Sequence, residues 1–359
     1  MKYRTVVIHA EENLGTSGTK IIPIRVRDPI TSLDLITRLT IGGAKRLAPY
    51  PSVISKLEIV DGSDVLLSLS GTEIIALSVL EGHLLVNGCA TNLQDSTRTF
   101  RFRINFGRFD RDPILVFDPT KFLNPQLKIT YDCTTVEANA TPFYVAVVAE
   151  CFDEKVISPV GFLRMTEYHS YVGTADTFAY IDLPVDLDIR KLYLQTKNFG
   201  RGVPENLHSV KLSEDNDKRV PFDLEAEQWS HKEAMEFGSA EQLIFATCGG
   251  FTDDPFYHIA GDQEVVFGTC TAVQQAIIAQ TQSGCGGSFV GADTTAIVTG
   301  VAKGHIPYLV HCYAFGDQMD IDDWYKLAGK VESLRFRIKA GAQGDDVTFN
   351  TILQQLRRY

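Results

Sequence analysis

Long apolar runs are missing from this chain of 359 residues. A bilayer-crossing helix needs about twenty consecutive apolar residues, yet the most apolar stretch, Ile74 to Val86, is broken by Ser78, Glu81 and His83. No spanning helix is expected. Glu11, Glu12 and Asn13 stand where a cleaved export signal would need its apolar segment, so the chain is expected to be made and kept in a cytosol-like compartment.

Cysteine is sparse and scattered. The seven, at positions 89, 133, 151, 248, 270, 285 and 312, form no Cys-x-x-Cys pair, which argues against both a zinc site and a disulfide framework. They read as small buried hydrophobes. A basic arm is missing as well, since Met1 to Ala10 holds only Lys2 and Arg4. The formal net charge is −11: residues 1–173 carry 18 Lys plus Arg against 19 Asp plus Glu, and the remainder 16 against 26. Binding nucleic acid needs a basic surface to neutralise phosphates, so no sequence-specific nucleic-acid binding is expected.

What the sequence has is alternation. At 44% hydrophobic and 22% charged it is a globular composition. The clearest strand is Arg98 to Phe106, where Phe100, Phe102, Ile104 and Phe106 point one way and Arg101, Arg103 and Asn105 the other. The rings read as core, and Arg101 and Arg103 are expected to pair with acids on a neighbouring strand or subunit. Further strands in the first half are expected at Ser32–Thr40, Ser55–Val60, Asp64–Leu69, Leu84–Asn87, Gln126–Asp132, Phe143–Glu150 and Phe162–Tyr168. The second half offers Leu187–Thr196, Leu207–Leu212, Arg219–Leu224, Gln242–Thr247, Glu264–Cys270, Thr294–Val301, Pro307–Phe315 and Val331–Lys339. Short helices are expected at Thr72–Leu80, Glu225–Phe237, Ala272–Thr281, Asp320–Leu327 and Phe349–Leu356.

The order of elements repeats. Leu33 to Ile36, Lys56 to Ile59, the turn Asp61-Gly62, Val65 to Leu69 and a helix closing at Gly82 are followed by Leu187 to Ile189, Val210 to Leu212, Asp215 to Asp217, Val220 to Leu224 and a helix closing at Gly238. Near the ends Pro142 to Val145 is matched to Pro307 to Val310, and Leu163 to Met165 to Leu334 to Phe336. The reading is all-β: two tandem eight-stranded jelly-roll sandwiches with a few short helices, divided as 1–173 and 174–359.

With this duplicated pattern, with Phe117 to Leu127 leading into a strand and with Leu212 to Lys218 between two strands, the chain resembles the double jelly-roll major capsid proteins of tailless icosahedral viruses, many of which enclose a membrane. The resemblance implies a homotrimer whose six sandwiches make a pseudo-hexagonal tile of the virion shell. It implies as partners neighbouring capsomers, penton and minor capsid proteins, and in some members an internal membrane. The terminal segments Met1–Thr19 and Phe349–Tyr359 are candidates for inner-face contacts, the latter through an apolar stripe of Ile352, Leu353 and Leu356 followed by Arg357 and Arg358. A terminal helix packed on its own subunit is the plainer expectation.

Candidate chemistry is thin. The run Gly284 to Gly291 lacks the Lys and Ser/Thr of a phosphate loop and the spacing of a nucleophile elbow, so it reads as a flexible loop. The eight histidines show no helical pair suited to a metal, and His311 is expected to be packed and hydrogen-bonded within a strand. The acid clusters Glu214 to Asp217, Asp253-Asp254, Asp320 to Asp323 and Asp345-Asp346 match no calcium loop and read as solvated. No catalytic, cofactor-binding or metal-binding residue is assigned, and no cofactor is expected. Two other readings stay open: a bicupin-like metal enzyme, and a carbohydrate-binding surface protein using Trp229, Trp324 and Tyr257.

Overall fold

A computed structural model describes residues 2–42, 46–82, 89–92, 96–247, 254–270, 278–281, 284–290 and 297–359. Sixteen strands build the frame. The first eight are β1 (Tyr3–Gly15), β2 (Ser17–Pro23), β3 (Ile30–Ile41), β4 (Ile54–Asp61), β5 (Asp64–Leu69), β6 (Ser96–Asn105), β7 (Pro125–Asp132) and β8 (Phe143–Phe152). The second eight are β9 (Gly161–Val172), β10 (Phe178–Leu183), β11 (Ile189–Lys197), β12 (Leu207–Glu214), β13 (Arg219–Glu225), β14 (Val310–Ala314), β15 (Leu334–Ala340) and β16 (Thr348–Arg358).

Their pairing shows the duplication. The first set forms β1-β8-β3-β6 and β2-β7-β4-β5, and the second β9-β16-β11-β14 and β10-β15-β12-β13. Adding eight to each label converts one sandwich into the other. The two inner sheets are fused into one of eight strands, because β5 and β9 run parallel and pair at Leu67 with Met165 and Ser68 with Thr166.

Period-two burial explains why these segments are strands. In β8, Phe143, Val145, Val147, Ala149 and Cys151 are buried while the residues between them are partly exposed. Most buried apolar side chains of both sandwiches form one continuous cluster that includes Phe102, Phe143, Trp229, Phe336 and Phe349, and Leu115, Leu163, Trp324 and Leu356 form a smaller one.

Each sandwich carries one helix after its fifth strand: α1 (Gly71–Leu80) and α2 (Ala226–Phe237). Both begin with a third-position side chain reaching back to the cap, Glu73 to the Ser70 amide at 2.7 Å and Gln228 to the Glu225 amide at 3.1 Å. Both close on a glycine with positive φ, 78° at Gly82 and 70° at Gly238, a backbone state that costs other residues energy. No helix among the described residues is long and apolar enough to cross a membrane.

The second half is longer mainly through one connection. Between α2 and β14 lie strands Ala240–Thr247, Asp254–Tyr257, Ala260–Cys270, Ile278–Thr281, Gly286–Val290 and Ile297–Pro307. Strand Cys89–Asn92, from the matching connection of the first half, pairs in parallel with Ala240–Thr247. Both halves therefore contribute to one outlying sheet.

Several expectations change. Phe349–Leu356 is not a helix but most of β16, hydrogen-bonded to β9 on one side and β11 on the other, so Ile352, Leu353 and Leu356 are fully packed and unavailable as a docking stripe. A three-to-four spacing of apolar residues fits a helix, and burial on both faces of a central strand produces it as readily. Asp320–Leu327 forms turns rather than a helix, and Ile278–Thr281 is a strand, while residues 272–277 lie outside the described residues. So does Leu84–Asn87. The N-terminal segment is not a free arm, since β1 pairs along β8 and β2 along β7. Strand β9, expected to close the first sandwich, pairs along its length with β16. The early matches of the repeat hold as elements, β3/β11, β4/β12, β5/β13 and α1/α2, although in register it is Ile30, ahead of Leu33 to Ile36, that matches Ile189. The late ones do not, since Val145 lies on β8 and Val310 on β14, while Met165 lies on β9 and Phe336 on β15.

Burial of β16 gives a direct check. Leu353 is fully buried and Leu123 fully exposed, so Leu353→Ala is expected to cost about 2–5 kcal/mol in urea unfolding and Leu123→Ala no more than about 0.5 kcal/mol. Equal losses would remove β16 from the centre of the sheet.

Candidate functional site

The most elaborate chemistry lies between the sandwiches, where α1 of the first lies on the sheet face formed by β9, β16 and β11 of the second. Thr72, Glu73, Ala76, Leu77 and Leu80 of α1 are all buried. At its start, Glu73 accepts from Asn350 Nδ2 at 2.9 Å, and the Thr72 hydroxyl meets Gln195 Nε2 at 3.2 Å. Ser170 donates to Asn350 Oδ1 at 2.8 Å, so the amide of Asn350 is bonded at both ends.

At the end of α1 the capping residue Glu81 meets two cations. Arg190 Nη1 donates to Glu81 Oε2 at 2.7 Å and to Gln354 Oε1 at 2.9 Å. Lys191 Nζ lies 2.9 Å from Glu81 Oε1 and donates to the Leu80 carbonyl at 3.1 Å. Tyr193 and Gln354 add donors to Oε1 at 2.9 and 3.1 Å. Burial alone would raise the Glu81 pKa, but Lys191 and Arg190 outweigh it and hold the carboxyl well below the usual range. Burial, with the Glu81 charge beside it, drives the Tyr193 phenol well up, so it stays a donor. A cavity of about 20 Å³ beside Leu77, Glu81, Met165 and Gln354 has room for about one water molecule. The place is a joint and holds no substrate-sized pocket.

Its residues were not singled out from the sequence, although a signal was there. Glu81 interrupts the most apolar run, and Arg190-Lys191 interrupts Leu187 to Leu194. Charges inside apolar elements are buried charges that need partners.

Two sheet faces have no such cover among the described residues. On β1-β8-β3-β6, Val7 is exposed and Ile36, Ala146 and Val148 are half-buried. There Arg103 holds Asp34 in a two-pronged bond at 2.7 and 2.8 Å, with Asp110 at 3.7 Å and Glu150 at 4.0 Å. The expected partner of Arg103 is thus on the adjacent strand of its own sandwich. On β10-β15-β12-β13, Arg335 pairs with Asp182 at 2.8 Å and Arg337 lies over the exposed Phe178 ring at 5.4 Å.

The other candidates are structural. His311 is buried and bonds Glu233 of α2 at 3.0 Å, as expected of a packed imidazole, with the Trp229 ring 4.8 Å away. Burial pushes the thiols of Cys133 and Cys151 up to about 12 and those of Cys285 and Cys312 higher, which removes the thiolate a nucleophile needs. Burial lowers His258 to about 4, leaving it neutral.

Gly286–Val290 is not a loop but a strand between Asp254–Tyr257 and Ile278–Thr281, and Gly291 lies outside the described residues. Asp215 is not merely solvated, since it accepts the amides of Glu332 and Ser333 at 3.0 and 2.9 Å. Asp345 likewise accepts the Ala175 amide at 2.9 Å. Trp229 and Trp324 are buried and unavailable to a glycan, and the Tyr257 hydroxyl donates to the Leu47 carbonyl at 2.9 Å. Among the described residues no three His, Cys, Asp or Glu side chains converge as a metal site.

No protein-family model matches the sequence, and neither does any curated protein. Solved structures do match. The crystal structure of the STIV MCP, from Sulfolobus Turreted Icosahedral Virus, aligns with a TM-score of 0.62 at 8% identity over 99% of this chain and 97% of that one. The major capsid protein P2 of bacteriophage PM2 gives 0.55 at 9% identity over 99% and 98%. The PBCV-1 virus capsid gives 0.55 at 11% identity over 99% and 93%. The fold is therefore the double jelly roll of major capsid proteins, matched across nearly the full chain.

The joint makes a stability prediction. Glu81→Ala leaves Arg190 and Lys191 buried without their counter-charge and is expected to cost about 3–5 kcal/mol. Because the folded pKa of Glu81 lies below its unfolded value of about 4.3, its stabilisation is complete above that pH and is lost as pH falls toward the folded pKa. Urea midpoints between pH 6 and 2 should therefore fall more steeply for the native chain than for Glu81→Gln, and parallel curves would refute this role.

Proposed function

We propose that the chain is the major coat subunit of an icosahedral virus shell, acting as a homotrimer whose six sandwiches tile the virion surface without catalytic turnover. One observation carries this reading. Within the chain α1 of one sandwich lies on the face of β9-β16-β11-β14 of the other, while a second helix and a second such sheet face have no such cover among the described residues. A joint between two different surfaces, repeated by rotation, closes into a ring. Three chains of two sandwiches each supply six units to that ring. The fold shared with capsid proteins of three viruses over almost all of the chain supports the same conclusion.

In this reading the partners are further copies of the chain, then penton and minor capsid proteins, and the place of action is the virion. The working surfaces are the flanks of the sandwiches, so no residue is assigned to catalysis or to a cofactor. The division between the two units falls in 153–160, ahead of β9, in place of the expected division at 173. Pairing of β9 with β16 supports this placement.

Light scattering of the purified chain should give a particle three times its 39.8 kDa mass, and electron microscopy should show pseudo-hexagonal tiles. A chain that stays monomeric under all assembly conditions and is absent from purified particles would overturn the reading. Amides of Phe162 to Glu167 should exchange hydrogen together with those of β16; exchange in step with β8 would return the division to 173.

A further inference from the structure

The two halves are related closely enough to predict one contact from another. β3 slips register against β8 between Ile30 and Ser32, and β11 slips against β16 between Ile189 and Lys191. This shared irregularity matches Ile30 to Ile189 and Cys151 to Gln355. It follows that Gln195 corresponds to Ile36, Asn350 to Ala146, Ile352 to Val148 and Gln354 to Glu150.

The helices align through their caps, Ser70 with Glu225 and Glu73 with Gln228. The stripe by which α1 covers its sheet, Thr72/Glu73, Ala76/Leu77 and Leu80/Glu81, then corresponds to Glu227/Gln228, His231/Lys232 and Met235/Glu236. On α1 this stripe is buried. On α2 Glu227, Gln228, His231, Met235 and Glu236 are exposed, Met235 to 89%. The sheet face matching the covered one has no helix across it among the described residues, and Ile36, Ala146 and Val148 on it are half-buried.

We propose that α2 of one copy of the chain lies across the outer face of β1-β8-β3-β6 of the next copy, with Gln228 over Ala146 and the Lys232–Glu236 pair over Arg103, Asp34 and Glu150. This rests on the coat-subunit reading and names the contact that reading requires. Charge supports it. The joint inside the chain sets one carboxylate between two cations, whereas here an ion pair on the helix meets an arginine flanked by three carboxylates, Asp34, Asp110 and Glu150. Lys232 meets the acids, a complementary contact that fixes register between copies. The stems of Gln228 and Lys232 cover the apolar residues.

Cross-linking of the full-length chain tests the contact. Gln228→Cys combined with Ala146→Cys, treated with a short bismaleimide, should give covalent two-chain and three-chain bands on a denaturing gel. A mixture of the two single variants should give a two-chain band and nothing larger, because the surfaces differ, and each single variant alone should stay monomeric. Trimers seen by light scattering without these cross-links would overturn the contact while leaving the coat reading intact. A native chain that never associates would overturn both. As a second measure, Lys232→Glu should raise the concentration at which trimers dissociate at least tenfold without changing the melting midpoint of the monomer; an unchanged dissociation concentration would count against the contact.

Discussion

A single buried carboxylate between two cations fixes how the sandwiches sit together. Glu81 loses its water when α1 docks, and an ion taken from water costs several kcal/mol unless charge and hydrogen bonds replace the solvent. Arg190, Lys191, Tyr193 and Gln354 supply both. Apolar burial would tolerate a helix shifted by a residue or rotated by part of a turn, since it is non-directional. Seven polar contacts at two ends of a ten-residue helix do not. The length of α1, set by the cap at Ser70 and the left-handed Gly82, thereby determines the geometry of the pair.

The duplication is one of topology more than of sequence. Every strand of the first sandwich has a counterpart eight places on, yet the partners share little beyond their pattern of inward and outward residues. The helices diverge most. α1 is apolar around most of its circumference because it is covered on both sides, while α2 keeps a polar, exposed stripe opposite Trp229 and Glu233. Equivalent positions have adopted the composition that their solvent contact demands.

Much of this architecture could be read directly. Strands β3, β7 and β8 are wetted on one face, so period-two alternation located them closely. Strands β1, β2 and β10 escaped notice because edge strands are half solvated on both faces and lose the alternating signal. β16 misled for the opposite reason, since a strand covered on both faces has no polar side to reveal its period. The joint was harder still. Its residues come from α1, β9, β11 and β16, as many as 277 positions apart for Glu73 and Asn350, and no local pattern announces that separation. Only the misplaced charges Glu81, Arg190 and Lys191 hinted at it.

Strand Cys89–Asn92 crosses from the first sandwich to join Ala240–Thr247 of the second. The chain is thus fastened at two heights, once where β5 meets β9 and again in this outlying sheet. A body pinned at two separated points cannot swivel about either. In the proposed shell, any curvature must then arise where one molecule meets the next, while each molecule behaves as a stiff brick.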